Sequence, residues 1–419
     1  MCVYSNRHMD KKETFKNDTK SDESDVNERE GDGSYETVYK LAKNGKKLEL
    51  HVLQTDELND SFYDRILKEE INNKSIRRIV LSLAYLNRDH VDEEFFFTII
   101  KNLESIEDQN ELKNIELFLE KKDLIYIKED TKIITIKEGV QKEIEEYVEL
   151  NKALDVAEIQ QSIIKAINEN FPKIEKSNKN FEDRKQIIAH SLKIINNNKG
   201  RDIAESIETA LLHFNLGEYF RLTEVDTNKA KDCYTRSLET YKNVYKKDNV
   251  DIAKSLNKIG ICYDDLRNHS KALELYEMSL ELQKKCYKED HPEIATSLND
   301  IGSCYFNLGN CNKALEYHER SWEKRKKMYT EDHPDIATSL NNIGLCYKNL
   351  GNYIKALEYH ERSLEMKKRI YKEEDHPDIA TSLNNIGVCY YYLGKYEEAL
   401  EYYEKTLEME KKIYKEDHH

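Results

Sequence analysis

Residues Asp332 to Gly344 read DHPDIATSLNNIG, and residues Asp375 to Gly387 read the same thirteen letters. A second phrase, KALEYHERS, stands at Lys313 to Ser321 and again at Lys355 to Ser363. Identity over such lengths marks an internal repeat. Working outward from the glycine that closes the first phrase gives Gly260, Gly302, Gly344 and Gly387, at spacings of 42, 42 and 43 residues, with a divergent earlier copy at Gly217. The longer last step comes from one additional Glu in KEEDHP. Each unit reads as a helix such as DIATSLNNIGLCYKNLG, a short turn, a second helix such as IKALEYHERSLEMKKRIY, and the KEDHP break. Apolar positions fall on two faces of the pair, so one unit cannot bury itself and successive units must stack into a solenoid. Gly344 and Ala356 allow the two helices to approach, while Leu340, Ile343, Tyr347, His360 and Leu364 are expected to fill the layer between them. Pro334 and Pro377 stand at helix starts, where a missing N–H costs nothing. The basic runs Lys324 to Lys327 and Lys367 to Arg369 fall in last turns and complement the carbonyl end of the helix dipole.

Composition agrees with an extended helical array. Among 419 residues there are 13 Gly and 4 Pro, and 35% of side chains are charged, above the usual level of about 25%. The formal net charge of -15 works against a sequence-independent grip on nucleic acid, which requires Lys and Arg to neutralise phosphates. No run of 18 apolar residues and no apolar core at MCVYSNRHMDKKETF point to a membrane span or a signal peptide, so the expected location is cytoplasmic. The eight cysteines include no CxxC pair, which fits reduced thiols better than a disulfide framework or zinc site.

Upstream, residues 1–35 are polar and charged and are expected to form a disordered tail. Residues 36–73 read as a polar linker without an assigned element. From residue 74 the pattern turns apolar: SIRRIVLSLAYL, EEFFFTIIKNL and ELKNIELFLEKK read as three helices. LIYI at 124–127 and KIITI at 132–136 flank a polar turn and read as a β-hairpin, and Glu138 to Glu149 returns to helix. Residues 74–150 are thus expected to form a winged-helix-like unit, and 151–200 a helical connector. The array follows as a divergent unit over 202–249 and units over 251–292, 293–334, 335–377 and 378–417.

The pattern ATSLNNIGxCYxxLGxYxKALEYHERSLEMKKRIYKEDHP resembles the long tetratricopeptide repeats of kinesin light chains and of the nephrocystin-type and bacterial proteins that share them. The resemblance spans Asp251 to the C-terminus and, more weakly, Asp202 to Asn249. It implies an all-α fold: a right-handed tetratricopeptide α-solenoid, here preceded by the small winged-helix-like α+β unit. It also implies a concave wall, lined by the first helix of each pair, that receives extended or helical peptides. Upstream, LSLAYLNRDHVDEEFF and ITIKEGVQKEI resemble the winged-helix segment that links nucleotide-binding domain and repeats in signalling ATPases of the STAND class. Val140 and Gln141 match that motif, whereas Lys137 stands where a His is common. AKNGKK at 42–47 lacks the first glycine and the Ser or Thr of a phosphate loop.

Candidate functional residues follow from the same register. Three before the repeat glycine stand Asn257, Asn299, Asn341 and Asn384, expected on the concave wall. Their amides can grip a ligand backbone or bond neighbouring units and hold the stack, and the residues alone leave both open. Thr296, Thr338 and Thr381 lie one turn earlier, and Ser303, Phe306, Lys348 and Tyr391 one turn later, differing between units as a ligand-specific wall would. The carboxylate clamp of tetratricopeptide co-chaperones is not expected, because it needs Lys where Asn341 stands and Asn where Leu345 stands. Cys262, Cys304, Cys346 and Cys389 read as core thiols, and His291, His333 and His376 as helix-start residues, so no metal and no cofactor are expected. The third upstream helix has no Arg and is poorly equipped to read bases. With no catalytic constellation, the expected function is a non-enzymatic scaffold or adaptor for protein or peptide partners. The alternative is a regulatory remnant or subunit of a STAND-type ATPase without its own nucleotide-binding domain. The array breaks off at KIYKEDHH, where a further repeat or polar cap is expected, so self-association through the uncapped last helix is a further expectation.

Overall fold

The computed structural model describes residues 37–44, 47–54, 74–88, 91–121, 124–128, 130–150, 156–171, 181–196, 205–224, 226–329, 332–372 and 375–416. The tail expected over residues 1–35 lies outside the described residues. Within the stretch read as a polar linker, β1 (Thr37–Asn44) and β2 (Lys47–Gln54) pair antiparallel, with Asn44 opposite Lys47. KLELHVLQ alternates polar and apolar residues from Lys47 to Val52, but TVYKLAKN sets Val38 beside Tyr39 and Leu41 beside Ala42, so the sequence carries a strand period in only one of the two strands.

The next unit comprises α1 (Lys74–Ser82), β3 (Val91–Asp92), α2 (Glu93–Glu104), α3 (Gln109–Lys121), β4 (Ile125–Lys128), β5 (Ile133–Ile136) and α4 (Glu138–Leu150). Its three strands run in the order β3-β5-β4, so the hairpin gains an edge strand of only two residues, too short to show a period in sequence. Asp92 starts α2 by accepting from Phe95 N at 3.0 Å, an N-cap bond. Phe96, Ile99, Ile100, Leu112, Phe118 and Leu119 are buried between helices and sheet. Gln141 Nε2 donates to Leu83 O at 2.9 Å and Leu86 O at 2.8 Å, satisfying carbonyls where the chain leaves α1 through a 3-10 turn.

Two connector helices, α5 (Val156–Asn170) and α6 (Phe181–Asn196), tie this unit to the repeats. His190 on α6 accepts from Asn87 N at 2.8 Å through Nδ1 and stacks on Phe95 with ring centroids 4.9 Å apart. Helix α5 packs on α1 and α2 and also on the first repeat helix, so one apolar core continues from Ile79 through Ile163 and Ile167 to Leu216 and Tyr234.

Five helix pairs follow: α7 (Ile207–Tyr219) with α8 (Thr227–Tyr245), α9 (Val250–Asp265) with α10 (His269–Cys286), α11 (Pro292–Asn307) with α12 (Cys311–Met328), α13 (Pro334–Asn349) with α14 (Tyr353–Ile370), and α15 (Pro377–Tyr392) with α16 (Tyr396–Glu416). We call the first helix of each pair A and the second B. The repeat glycine sets their approach. A Cβ on Gly302 would stand 2.8 Å from the His318 ring, and one on Gly344 2.7 Å from the His360 ring; Tyr234, Tyr276 and Tyr403 lie against Gly217, Gly260 and Gly387 in the same way. Ser279, Ser321 and Ser363 on B helices donate to Ala253, Ala295 and Ala337 carbonyls on the paired A helices at 2.7, 2.7 and 2.8 Å. Asn268, Asn310 and Asn352 cap the B helices, each accepting from the backbone N–H three residues on. In the first pair, Gly217 and Ala230 are 13 residues apart instead of the 12 between Gly344 and Ala356, and the π-helical turn Phe220–Glu224 absorbs the added residue. The chain is a helical-repeat solenoid preceded by a small α+β unit.

Candidate partner-binding wall

The A helices α11 and α13 approach one another directly, whereas cavities open between successive B helices. The A side is therefore the tighter, inward side of the stack. The four asparagines lie along it, and three are engaged within the array. Asn257 Nδ2 donates to Asp300 Oδ2 at 3.3 Å, from α9 to α11. Asn299 Oδ1 accepts from Asn342 Nδ2 at 3.0 Å, and Asn341 Oδ1 accepts from Asn385 Nδ2 at 2.9 Å. The same two oxygens also meet His318 Nδ1 and His360 Nδ1, each at 3.1 Å. An A-helix amide thus joins its own B helix and the next A helix at once. Asn384, on the last A helix, is exposed. Of the two roles left open by the sequence, the stack-holding one is carried by Asn257, Asn299 and Asn341.

His318 and His360 are buried, and burial, aided by Arg325 at the first and by Lys348 and Lys367 at the second, pulls both imidazoles down to about 4. They are neutral near pH 7, and a neutral ring donates from Nδ1 to the asparagine oxygen.

The flanking wall residues differ in availability. Thr338 and Thr381 donate to Pro334 O and Pro377 O at 3.0 Å, and Ser303 to Asn299 O at 3.1 Å, so these hydroxyls are satisfied by their own helices. Thr296, Phe306 and Lys348 are half-buried. Tyr391 is 53% exposed, with edge contacts to Tyr392 and Tyr396. Phe306, Lys348 and Tyr391 occupy one position in successive units, where the second unit has Asp264.

Two inter-unit ties escaped the sequence reading. Arg325 and Lys367, placed by sequence in solvated dipole-capping runs, are 4% and 6% exposed. Arg325 Nη1 donates to Asp335 O and Ser339 Oγ, both at 2.8 Å. Lys367 Nζ donates to Asp378 O at 3.1 Å and Ser382 Oγ at 2.9 Å. Burial lowers the pKa of both, opposed by the neighbouring aspartates. The available signal was their register: both stand 11 residues after the buried alanine of their B helix, one turn from positions that face the next unit.

The remaining ladders are structural. His291, His333 and His376 accept through Nδ1 from the backbone N–H of Glu293, Asp335 and Asp378 at 3.2, 3.2 and 3.1 Å, while their rings stack on Tyr287, Tyr329 and Tyr371 at 3.6, 3.5 and 3.5 Å. Cys262, Cys304, Cys346 and Cys389 are free and buried, and burial pushes their thiols up to about 11 or 12. Among the described residues no three His, Cys, Asp or Glu side chains group as a metal site, and no helix is long and apolar enough to cross a membrane.

Stacked helix pairs with a glycine at each A–B crossing define a helical-repeat interaction module. The tetratricopeptide repeat model matches residues 206–285, 251–327, 293–369 and 335–412, and over that span the chain belongs to the tetratricopeptide repeat family. Solved structures similar to it include BtubC (BKLC) from P. vanneervenii, at 21% identity over 49% of this chain and 83% of that one with a TM-score of 0.44. RapI in its apo form is similar at 15% identity over 81% of this chain and 77% of that one, TM-score 0.46. A Rap protein complexed with competence and sporulation factor is similar at 16% identity over 64% and 71%, TM-score 0.43. No curated protein matches the chain.

Proposed function

We propose that this protein is a non-enzymatic scaffold or adaptor whose A-helix wall holds a peptide or protein partner. The observation that carries this reading is the contrast between positions. Gly, Ala, Ser and Cys recur wherever the units pack, while the wall position seven residues after the asparagine changes from Asp264 to Phe306, Lys348 and Tyr391. A wall whose framework is fixed and whose lining varies along its length can read a sequence. Asn384, exposed on the last A helix, supplies hydrogen-bonding capacity beside it. Free, buried thiols suit a reducing compartment, and we place the protein in the cytoplasm.

The test uses the full chain carrying Phe306→Ala, Lys348→Glu and Tyr391→Ala, sparing the asparagines that hold the stack. Loss of captured partners with helicity and melting unchanged supports the wall; capture identical to the unsubstituted chain contradicts it. Self-association belongs to the same proposal. On α16, Tyr396, Leu400 and Leu407 are 65%, 58% and 52% exposed, whereas the equivalent Leu364 on α14 is 8% exposed beneath α15. A light-scattering mass of two chains that falls to one with Leu400→Lys supports a role for this face, and a one-chain mass at high concentration contradicts it.

A second reading, a subunit that docks on a STAND-type ATPase, is favoured by the core running unbroken from the α+β unit through α5 into the first repeat, a route for transmitting a docking event. Fusing the upstream unit to a flexible linker before α5 should leave such docking intact but uncouple any effect on the ATPase.

A further inference from the structure

Six residues after the buried alanine of each B helix stand Arg236, Met278, Arg320, Arg362 and Lys405. Four are basic. In the later units these cations lie over neighbouring rings: Arg320 over Tyr317, Arg362 over Trp322 and Tyr359, Lys405 over Tyr402. They put a cation on the outer face of each of these units; a smaller cavity of about 300 Å³ between α14, α15 and α16 has Lys405 in its lining, together with Asp375 and Glu408. The second unit breaks the rule with Met278, which is 43% exposed, and a cavity of about 520 Å³ opens beside it between α8, α9 and α10.

Ile252, Leu256, Met278 and Leu282 line the apolar part of this groove, and Lys242, Lys246 and Lys247 at the end of α8 form its rim. The two acids nearby are already paired: Asp248 with Lys285 at 3.0 Å and Glu281 with Lys284 at 3.0 Å. The three rim lysines have no ion pair among the described residues, so the groove presents an apolar shelf under an uncompensated positive field. That combination selects a ligand that is apolar at its centre and anionic at its edges. The shelf is open, with half-exposed Met278 on it, so an acyl chain would stay wet along one side, whereas a protein segment brings its own cover. Methionine adapts its shape to such an insert.

We propose that this groove is a second docking site, on the B side of the array, for an acidic segment of a partner protein. One or two large apolar side chains would seat on Leu256, Met278 and Leu282, and flanking carboxylates would meet Lys242, Lys246 and Lys247. The site is independent of the A-helix wall.

The test pans a displayed random-peptide library on the full chain, with Met278→Arg as the comparison. That substitution restores the residue type found in four other units, so the fold should tolerate it, and circular dichroism checks that it does. The expected result is enrichment of sequences with aliphatic or aromatic anchors between Asp and Glu, their affinity falling about tenfold or more on Met278→Arg. Lys242→Glu with Lys247→Glu should weaken the same peptides several-fold and flatten their salt dependence. Peptides that bind Met278→Arg equally well, that lack acidic residues, or that fail to enrich would overturn the proposal. Displacement of a fluorescent apolar probe by dodecanoate in the unsubstituted chain, with no peptide enriched, would assign the groove to an acyl anion and overturn it as well.

Discussion

The second repeat unit, α9 with α10, and the two that follow, α11 to α14, share one backbone plan but differ in how their polar groups are wired. In the later two, His318 or His360 fills the space against the glycine and bonds an asparagine that also holds the next unit. In the second, Tyr276 fills that space, and Asn257 reaches forward to Asp300 instead. At the joints, Arg325 and Lys367 donate into the next A helix, while Gln283 leaves its own Oε1 and the facing Ser297 Oγ unpaired. At the A–B turn, Gly309 and Gly351 take positive φ without strain, where the second unit forces Arg267 to φ 62°. The difference teaches that near-identical repeats need not be equally joined. The second unit is the loosely tied one, and the larger and more apolar of the two outer grooves opens beside it.

Acid should strain the units that bury a histidine: the third and fourth, with His318 and His360, and the first, where burial also pulls His213 down to about 4. His318 and His360 titrate near 4 in the folded chain and near 6.5 when unfolded, so the unfolded chain binds more protons as pH falls. Their contribution is intact above pH 6.5 and declines from there toward pH 4, by about 2 kcal/mol for each histidine at pH 5. Asp300, pushed up to about 6 by burial, acts in the opposite sense. It is retained when His318 and His360 are both replaced by Tyr, the residue of the second and fifth units, so its effect cancels in the comparison. Equilibrium denaturation against pH should show the acid-side decline flattened by about 4 kcal/mol at pH 5 in that double variant. An unchanged profile would show that the histidines do not carry the decline.

At the joints, Arg325→Met should cost about 2 kcal/mol, because Asp335 O and Ser339 Oγ lose their donor in a buried setting. Gln283→Met should change stability by less than about 0.5 kcal/mol, since the amide there makes no cross-unit bond to lose. Urea titration gives both numbers, and hydrogen exchange should show α13 to α16 opening first in Arg325→Met. Equal costs would erase the distinction between the joints. At the turn, Arg267→Gly should stabilise by about 1 kcal/mol by relieving a left-handed non-glycine residue, measured as a rise in Tm.

Much of the array was legible because a solenoid repeats its reasons. The glycine, the histidine that fills the layer against it and the buried cysteine each recur at fixed spacing, so their roles could be read from register, whereas the Asn caps of the B helices recur just as regularly and were found only in the structure. What escaped were choices that register does not specify. The asparagines were legible as a ladder, yet only geometry shows that Asn299 Oδ1 meets both His318 and Asn342. Arg325 and Lys367 sit inside basic runs, and a run of like charges does not reveal which member turns inward. Upstream, β3 spans two residues and carries no period, and β1 breaks the alternation of a strand with the adjacent apolar pairs Val38-Tyr39 and Leu41-Ala42. The upstream unit packs large aromatic side chains that do not repeat, so its helices could be recognised one by one but their shared core with α5 could not.

The central claim is that partners engage the A-helix wall, and site-specific photocrosslinking in the full chain tests it most directly. A benzophenone side chain is placed at Phe306, Lys348 or Tyr391 on the wall, and at Glu358 or Arg362 on a B helix, before exposure to cell lysate. The account predicts discrete partner adducts from the three wall positions and none from the two B-helix positions. Adducts from the B-helix positions alone would contradict it.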